Sequence, residues 1–176
     1  MINNLKLVKP SIEFKDSFME GLVECAKESN EQSWVYLHES ETCLAKQDFH
    51  AYVQKLKDYE FTPSEFFVRG VTFWAIINNE VVGRLGLRLE LNEGLEKFGG
   101  HIGYITRPSF RKRGIASKML ALALETDYAK EIGKVLLTCD LGNEASEKTI
   151  VKSGGVFHDV VELENRNNKK RFWISL

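Results

Sequence analysis

The chain contains no apolar run near the roughly 20 residues that a membrane-spanning helix needs. Its first ten residues, Met1 to Pro10, lack the long apolar stretch of a signal peptide. Charge of one sign is missing too: 24 Lys and Arg stand against 25 Asp and Glu, a formal net charge of −1. No global field therefore draws the protein to nucleic acid or to an anionic membrane, and any basic site has to be local. Cysteine is scarce. Cys25, Cys43 and Cys139 are an odd trio without C-x-x-C spacing, which excludes a disulfide scaffold and reads as free thiols in a reducing compartment. His38, His50 and His158 show no metal-ligand spacing, and no metal is expected. Internal repeats, linkers and low-complexity segments are absent as well. The expectation is a cytoplasmic protein with neither nucleic acid nor membrane as a partner, monomeric or homodimeric.

What is present fits one folded unit over residues 1–176. The length is that of a single domain, and 43% hydrophobic with 28% charged residues is ordinary for a globular chain. Leu5 to Leu7 reads as a first strand ended by Pro10. Ser11 is placed to cap a helix running to about Ser29, with Phe14, Phe18, Leu22 and Cys25 at helical spacing. A second helix is expected over Asp48 to Asp58. Thr72 to Ile77 is aromatic and β-branched, and Asn78-Asn79-Glu80 turns it into a strand where Leu85, Leu87, Leu89 and Leu91 alternate with Arg84, Gly86, Arg88 and Glu90. A loop from Asn92 to Gly100 leads to a short strand, His101 to Thr106. Beyond Pro108 the spacing of Ala116, Met119, Leu120, Ala123 and Leu124 predicts one helix from Gly114 to Ile132. Lys134 to Cys139 reads as a buried strand, Glu144 to Ser153 as a short helix, and Val156 to Leu163 and Arg171 to Leu176 as closing strands. The fold class is α/β (α+β).

The segment richest in chemistry is TRPSFRKRGIA, residues 106–116, between a strand and a helix. Gly114 and Ala116 are small where the backbone enters the helix, and Arg111, Lys112 and Arg113 crowd positive charge there. A helix start offers unpaired N–H groups and partial positive charge, and small residues let a phosphate approach them. The P-loop and Rossmann fingerprints are both absent, so the anion site is of another kind.

R-x-x-G-x-A at Arg111, Gly114 and Ala116 resembles the acyl-CoA pyrophosphate loop of the GCN5-related N-acetyltransferase (GNAT) superfamily. Asn143, followed nine residues later by Lys152 and then by Gly155-Val156-Phe157, resembles that superfamily's second motif. The likeness extends over most of the chain and is densest from Thr72 to Phe157. It implies a mostly antiparallel sheet of about six to seven strands flanked by helices. The sheet would splay between the strands at His101–Thr106 and Lys134–Cys139 to hold acyl-CoA. It further implies that acetyl-CoA is the cosubstrate and an unidentified primary amine the acceptor, acetylated by direct attack in a ternary complex. On this resemblance Arg111, Lys112, Arg113, Gly114, Ile115, Ala116 and Ser117 hold the pyrophosphate. Tyr104, Ile105 and Thr106 hold the pantetheine arm, Asn143 touches the cofactor from the other side, and a strand N–H near Ile105 polarises the thioester carbonyl.

The chain departs from the pattern at Ile150, where many members carry a tyrosine as acid toward the leaving thiolate. That departure leaves room for a second reading, a non-catalytic acyl-CoA binding or sensing module. An amine with a pKa of about 10.4 must lose a proton before it attacks. His101 and Glu93 are the candidates to take it, and Tyr104 is the candidate to protonate the thiolate. Each also has a plain reading: His101 as a partner of the neighbouring loop, Glu93 as a turn residue, Tyr104 as core, Asn143 as a helix cap. An excess of acids early in the chain (Glu24, Glu28, Glu31, Glu39, Glu41, Asp48) suits either a cationic amine or an ordinary acidic surface.

Overall fold

A computed structural model describes residues 2–35, 39–63, 68–164 and 166–176. Among these, seven strands form two antiparallel sheets. The first has four strands in the order β1 (Lys6–Val8), β2 (Gly70–Ile77), β3 (Glu80–Arg88), β4 (Ile102–Thr106). The second has β7 (Lys169–Ser175) between β5 (Lys134–Asp140) and β6 (Val156–Val161). The helices are α1 (Lys15–Ala26), α2 (Glu31–Val35), α3 (Glu39–Gln47), α4 (Phe49–Asp58), α5 (Ile115–Leu124), α6 (Asp127–Ile132) and α7 (Glu144–Lys152). No helix among the described residues is long and apolar enough to cross a membrane.

The β2–β3 hairpin closes as its sequence suggests. Asn78 and Asn79 both take positive φ (47° and 66°), the backbone that a two-residue hairpin turn requires and that Asn tolerates. Strict alternation then sorts the faces of β3. Leu85 and Leu87 enter the core that α5 covers, while Arg84 and Arg88 point toward the α1–α4 side. That second side holds its own core, in which Phe18 stacks on Trp74 at 4.7 Å and touches Trp34, Phe49 and Tyr52. Two of the three tryptophans are therefore fully buried core residues.

Several boundaries differ from the sequence reading, each for a local reason. Ser11 makes no side-chain cap; a 3₁₀ turn, Ile12–Phe14, precedes α1 instead. Asp48 is the N-cap of α4, accepting from the Ala51 N–H. The single helix expected from Gly114 to Ile132 is two. Thr126 ends the first by donating to the Ala123 carbonyl and starts the second by accepting from the Ala129 N–H. Ala116 is only half-buried, and Ile115 takes its place in the apolar stripe. β3 stops at Arg88, so Leu89 and Leu91 lie beyond it, and the loop after Asn92 contains one π-helical turn, Leu95–Gly99.

The two sheets meet at one point. The His101 N–H donates to the Leu136 carbonyl at 2.7 Å, and the Leu136 N–H donates back to His101 Nδ1 at 2.9 Å. Gly100, at φ +63°, brings the chain so close to β5 that a Cβ would lie 2.6 Å from the Leu136 oxygen. From Ile102 onward β4 has no ladder partner on its β5 side among the described residues. The sheets part there, and the gap opens a cleft.

Candidate active site

The cleft has a volume of about 450 Å³ and is lined by Tyr104, Ile105 and Thr106 of β4, by the loop and helix start from Arg111 to Ser117 except Arg113, and by Asn143, Ala145, Ser146 and Thr149 of α7. Ten of the thirteen residues proposed from sequence as site residues therefore share one concavity. The three outside it are Glu93, His101 and Arg113.

The loop is shaped to expose backbone N–H groups. Arg111 is extended, Lys112 takes φ 59°, and Gly114, the residue before α5, takes φ 77°. A side chain is poorly tolerated at such an angle, which gives glycine at 114 a physical reason. Among the described residues the N–H groups from Lys112 to Ser117 have no hydrogen-bond partner; the first bond of the turn is Lys118 N–H to the Gly114 carbonyl. Successive free N–H groups with alternating backbone hand form a concave anion site, reinforced by the positive end of α5.

Side chains of the same loop serve to brace it. Arg107 is buried and donates through Nε to Glu24 (2.8 Å) and through Nη2 to Glu20 (3.0 Å), and Glu24 also accepts from the Ser109 N–H. Burial pushes the Glu24 carboxyl up, but the bonds from Ser109 and Arg107 outweigh it and hold the group below its ordinary range. Arg111 pairs with Glu28 at 2.6 Å and donates to the Thr106 carbonyl. Arg113 lies over the Phe110 ring, outside the cleft lining. The acidic excess noted in the sequence is thus largely consumed: Glu24 and Glu28 hold arginines, Glu41 is buried against Lys55 and Tyr59, and Asp48 caps a helix. The side chains of Glu31 and Glu39 lie outside the described residues.

Asn143 caps α7 by accepting from the Ser146 N–H and also lines the cleft, so its two expected roles coexist. This cap turns Ser146 inward, where its hydroxyl meets the Tyr104 hydroxyl at 3.0 Å. Burial raises the Tyr104 pKa, and hydrogen bonds to Ser146 and Thr149 oppose that rise. Tyr104 is therefore a neutral phenol within a small hydroxyl cluster. Ser146 and Thr149 were missed in the sequence; spacing of three and six residues from Asn143 on one helix is the signal that marks them. Ile150, one position further, is sealed in the core.

His101 is engaged elsewhere. Burial, aided by the charge of Arg88, pushes its pKa down to about 4. Its Nδ1 lone pair accepts from Leu136, so the proton of the neutral ring sits on Nε2 and no lone pair remains to take another. The structure gives His101 the task of pinning the apex of the splay and does not support the expected base role. Glu93 is exposed and follows Asn92, whose side chain accepts from the Leu95 N–H. The position of the edge donors is also revised. Arg88 N–H to His101 and Arg107 N–H to Val82 fix the ladder phase, so alternation turns the N–H groups of Tyr104 and Thr106 toward the gap and that of Ile105 toward β3. Among the described residues no group of His, Cys, Asp and Glu could hold a metal ion.

A concave anion site that opens into a gap between sheets lined by hydroxyls suits group transfer from a phosphate-bearing donor. Residues 32–154 match the model of the acetyltransferase (GNAT) family, and the chain belongs to that family, whose cosubstrate is acetyl-CoA. Solved structures agree in fold. The microcin C7 self-immunity acetyltransferase MccE, solved with acetyl-CoA and AMP, superposes with a TM-score of 0.69 at 11% identity, over 99% of this chain and 93% of that one. The acetyltransferase from Salmonella typhimurium that modifies the N-terminal serine of ribosomal protein L7/L12 gives 0.64 at 18% identity, over 98% and 95%. A GNAT-family acetyltransferase from Bacillus anthracis gives 0.63 at 16%, over 98% and 95%. A comparison with curated protein sequences returns no match.

Proposed function

We propose that the protein moves the acetyl group of acetyl-CoA to a primary amine by direct attack in a ternary complex. The observation that carries this reading is the run of partnerless N–H groups from Lys112 to Ser117 opening onto the Tyr104–Ser146 hydroxyl pair. The N–H groups at the head of α5 hold the pyrophosphate. The outward N–H groups of Tyr104 and Thr106 take the pantetheine arm and the thioester oxygen, strengthening as negative charge develops on that oxygen. The amine nitrogen forms the new C–N bond, the C–S bond breaks, and the thiolate receives its proton from the Tyr104 hydroxyl, which Ser146 orients and which regains a proton from solvent. The described lining contains no carboxylate or imidazole, so the amine proton leaves to solvent. The hydroxyl pair takes the place of the tyrosine that Ile150 replaces, which favours an enzyme over a binding-only module.

The test is thiol release from acetyl-CoA with a panel of primary amines, followed over pH. The reading expects turnover that rises with pH toward the acceptor's own pKa, with no inflection near the ordinary histidine range. Acetyl-CoA binding without turnover of any amine would return the binding-module reading.

A further inference from the structure

The face of β4 opposite α5 carries a feature that the transfer chemistry does not use. In the ladder, Thr72 of β2, Gly86 of β3 and Gly103 of β4 lie in one row, flanked by the rows Trp74–Arg84–Ile105 and Gly70–Arg88–His101. Among the described residues, a Cβ built at Gly103 would meet one atom within 4 Å, Arg88 Nη1 at 4.0 Å. Arg88 itself is 8% exposed. Its Nη1 donates to the carbonyls of Gly100 (2.9 Å) and Gly99 (3.3 Å). Among the described residues its Nε and Nη2 make no hydrogen bond, and no carboxylate stands within 4 Å of the guanidinium.

Arg107 offers the contrast. Both arginines are more than nine-tenths buried, but Arg107 is matched by Glu20 and Glu24, while among the described residues Arg88 has only neutral carbonyls. A buried cation without a counterion is costly, and its charge already depresses its neighbour His101. A guanidinium with two nitrogens to spare is suited to bidentate capture of a planar or tetrahedral oxyanion. Gly103 lies one residue before Tyr104 and three before Thr106, so along β4 an anion held there is about 3–10 Å from the edge N–H donors of those residues, on the face opposite the Tyr104 hydroxyl.

We propose that Arg88 and the notch at Gly103 bind an oxyanion on the acceptor, so that the substrate is an amine bearing a carboxylate or phosphate close to its nitrogen. This assignment rests on the acetyltransferase reading for what carries the anion, but the anion site stands on its own geometry. It also replaces the cationic acceptor that the early acidic residues suggested, since those carboxylates are mostly occupied.

The experiment is an NMR titration of protein labelled with ¹⁵N in its arginine side chains and saturated with CoA. Sodium acetate and sodium phosphate are added in separate arms at constant ionic strength. The Nε–H resonance of Arg88, assigned with Arg88→Lys, should shift saturably, half-saturating at about millimolar concentration. The arm giving the tighter binding identifies carboxylate or phosphate. Gly103→Val fills the notch while keeping the guanidinium, and should abolish the shift. An Arg88 resonance that saturates with neither anion would overturn the proposal and leave the arginine as a clamp on the Gly99–Gly100 carbonyls, and so would a shift that survives Gly103→Val. Failure of CoA to bind would count against the cofactor cradle alone, because the same resonance can be titrated in the free protein.

Discussion

Under the proposed readings, the two sides of β4 use different means of recognition. Toward α5 and α7 the recognition is backbone: free N–H groups of residues 112–117 and the edge donors of Tyr104 and Thr106. Toward α1–α4 it is side chain: one buried guanidinium beside a missing Cβ. Backbone donors suit a part of the ligand that is the same in every reaction, and they need only small residues and permissive φ angles. Side-chain recognition can change with a single substitution, which suits the part that differs between substrates.

The largest effect expected from breaking this division lies on the backbone face. Gly114→Glu puts a side chain at φ +77° and a negative charge beside the cradle, and should weaken acetyl-CoA binding by at least about 100-fold in calorimetry. Unchanged affinity would remove the cradle. Next come the hydroxyls. Tyr104→Phe and Ser146→Ala should each lower kcat by about 10- to 100-fold and leave the acetyl-CoA dissociation constant within twofold. Because the two act as a pair, the double variant should be little worse than either single one; losses that multiply would assign them separate tasks.

Smaller effects test the scaffold that holds the faces apart. Arg107→Met leaves Glu24 without its partner and should cost about 3 kcal/mol in urea unfolding, with weaker acetyl-CoA binding because the brace on the loop is lost. His101 gives a pH signature. Its folded pKa of about 4 lies below the unfolded value of about 6.5, so between these values the unfolded chain binds more protons and stability falls as pH falls. The loss across that window should reach at most roughly 3.5 kcal/mol, at about 1.4 kcal/mol per pH step. His101→Phe should remove this slope without adding or deleting an inflection in the pH–rate profile. Glu93→Gln should change turnover less than about twofold, consistent with its exposed position outside the cleft.

The uneven legibility of the sequence follows from the same division. The cradle could be read because glycine and alanine at a strand-to-helix junction, beside three consecutive cations, point to an anion through local chemistry alone. The Asn78–Asn79 hairpin was legible for the same reason, its turn chemistry being local. Alternation located the central strands but overran the end of β3 by Leu89 and Leu91. The Ser146 hydroxyl could not be placed before the Asn143 cap fixed the phase of α7. His101 looked chemical in isolation, and only its bond to Leu136, 35 residues away, shows where its lone pair goes. The break at Thr126 was hidden because apolar spacing continues through it while a side-chain cap does not show in periodicity. Arg88 was visible only as one of several polar residues alternating with leucines; that no described carboxylate stands against it is a property of the fold.

The most direct test of the central claim, that free N–H groups at the head of α5 hold acetyl-CoA, is isothermal titration of the protein with acetyl-CoA, with CoA and inorganic pyrophosphate as controls. Acetyl-CoA and CoA binding well above pyrophosphate is the predicted result, since the edge of β4 adds the pantetheine arm to the phosphate contacts. No acetyl-CoA binding, or affinity equal to that of pyrophosphate, would contradict the account.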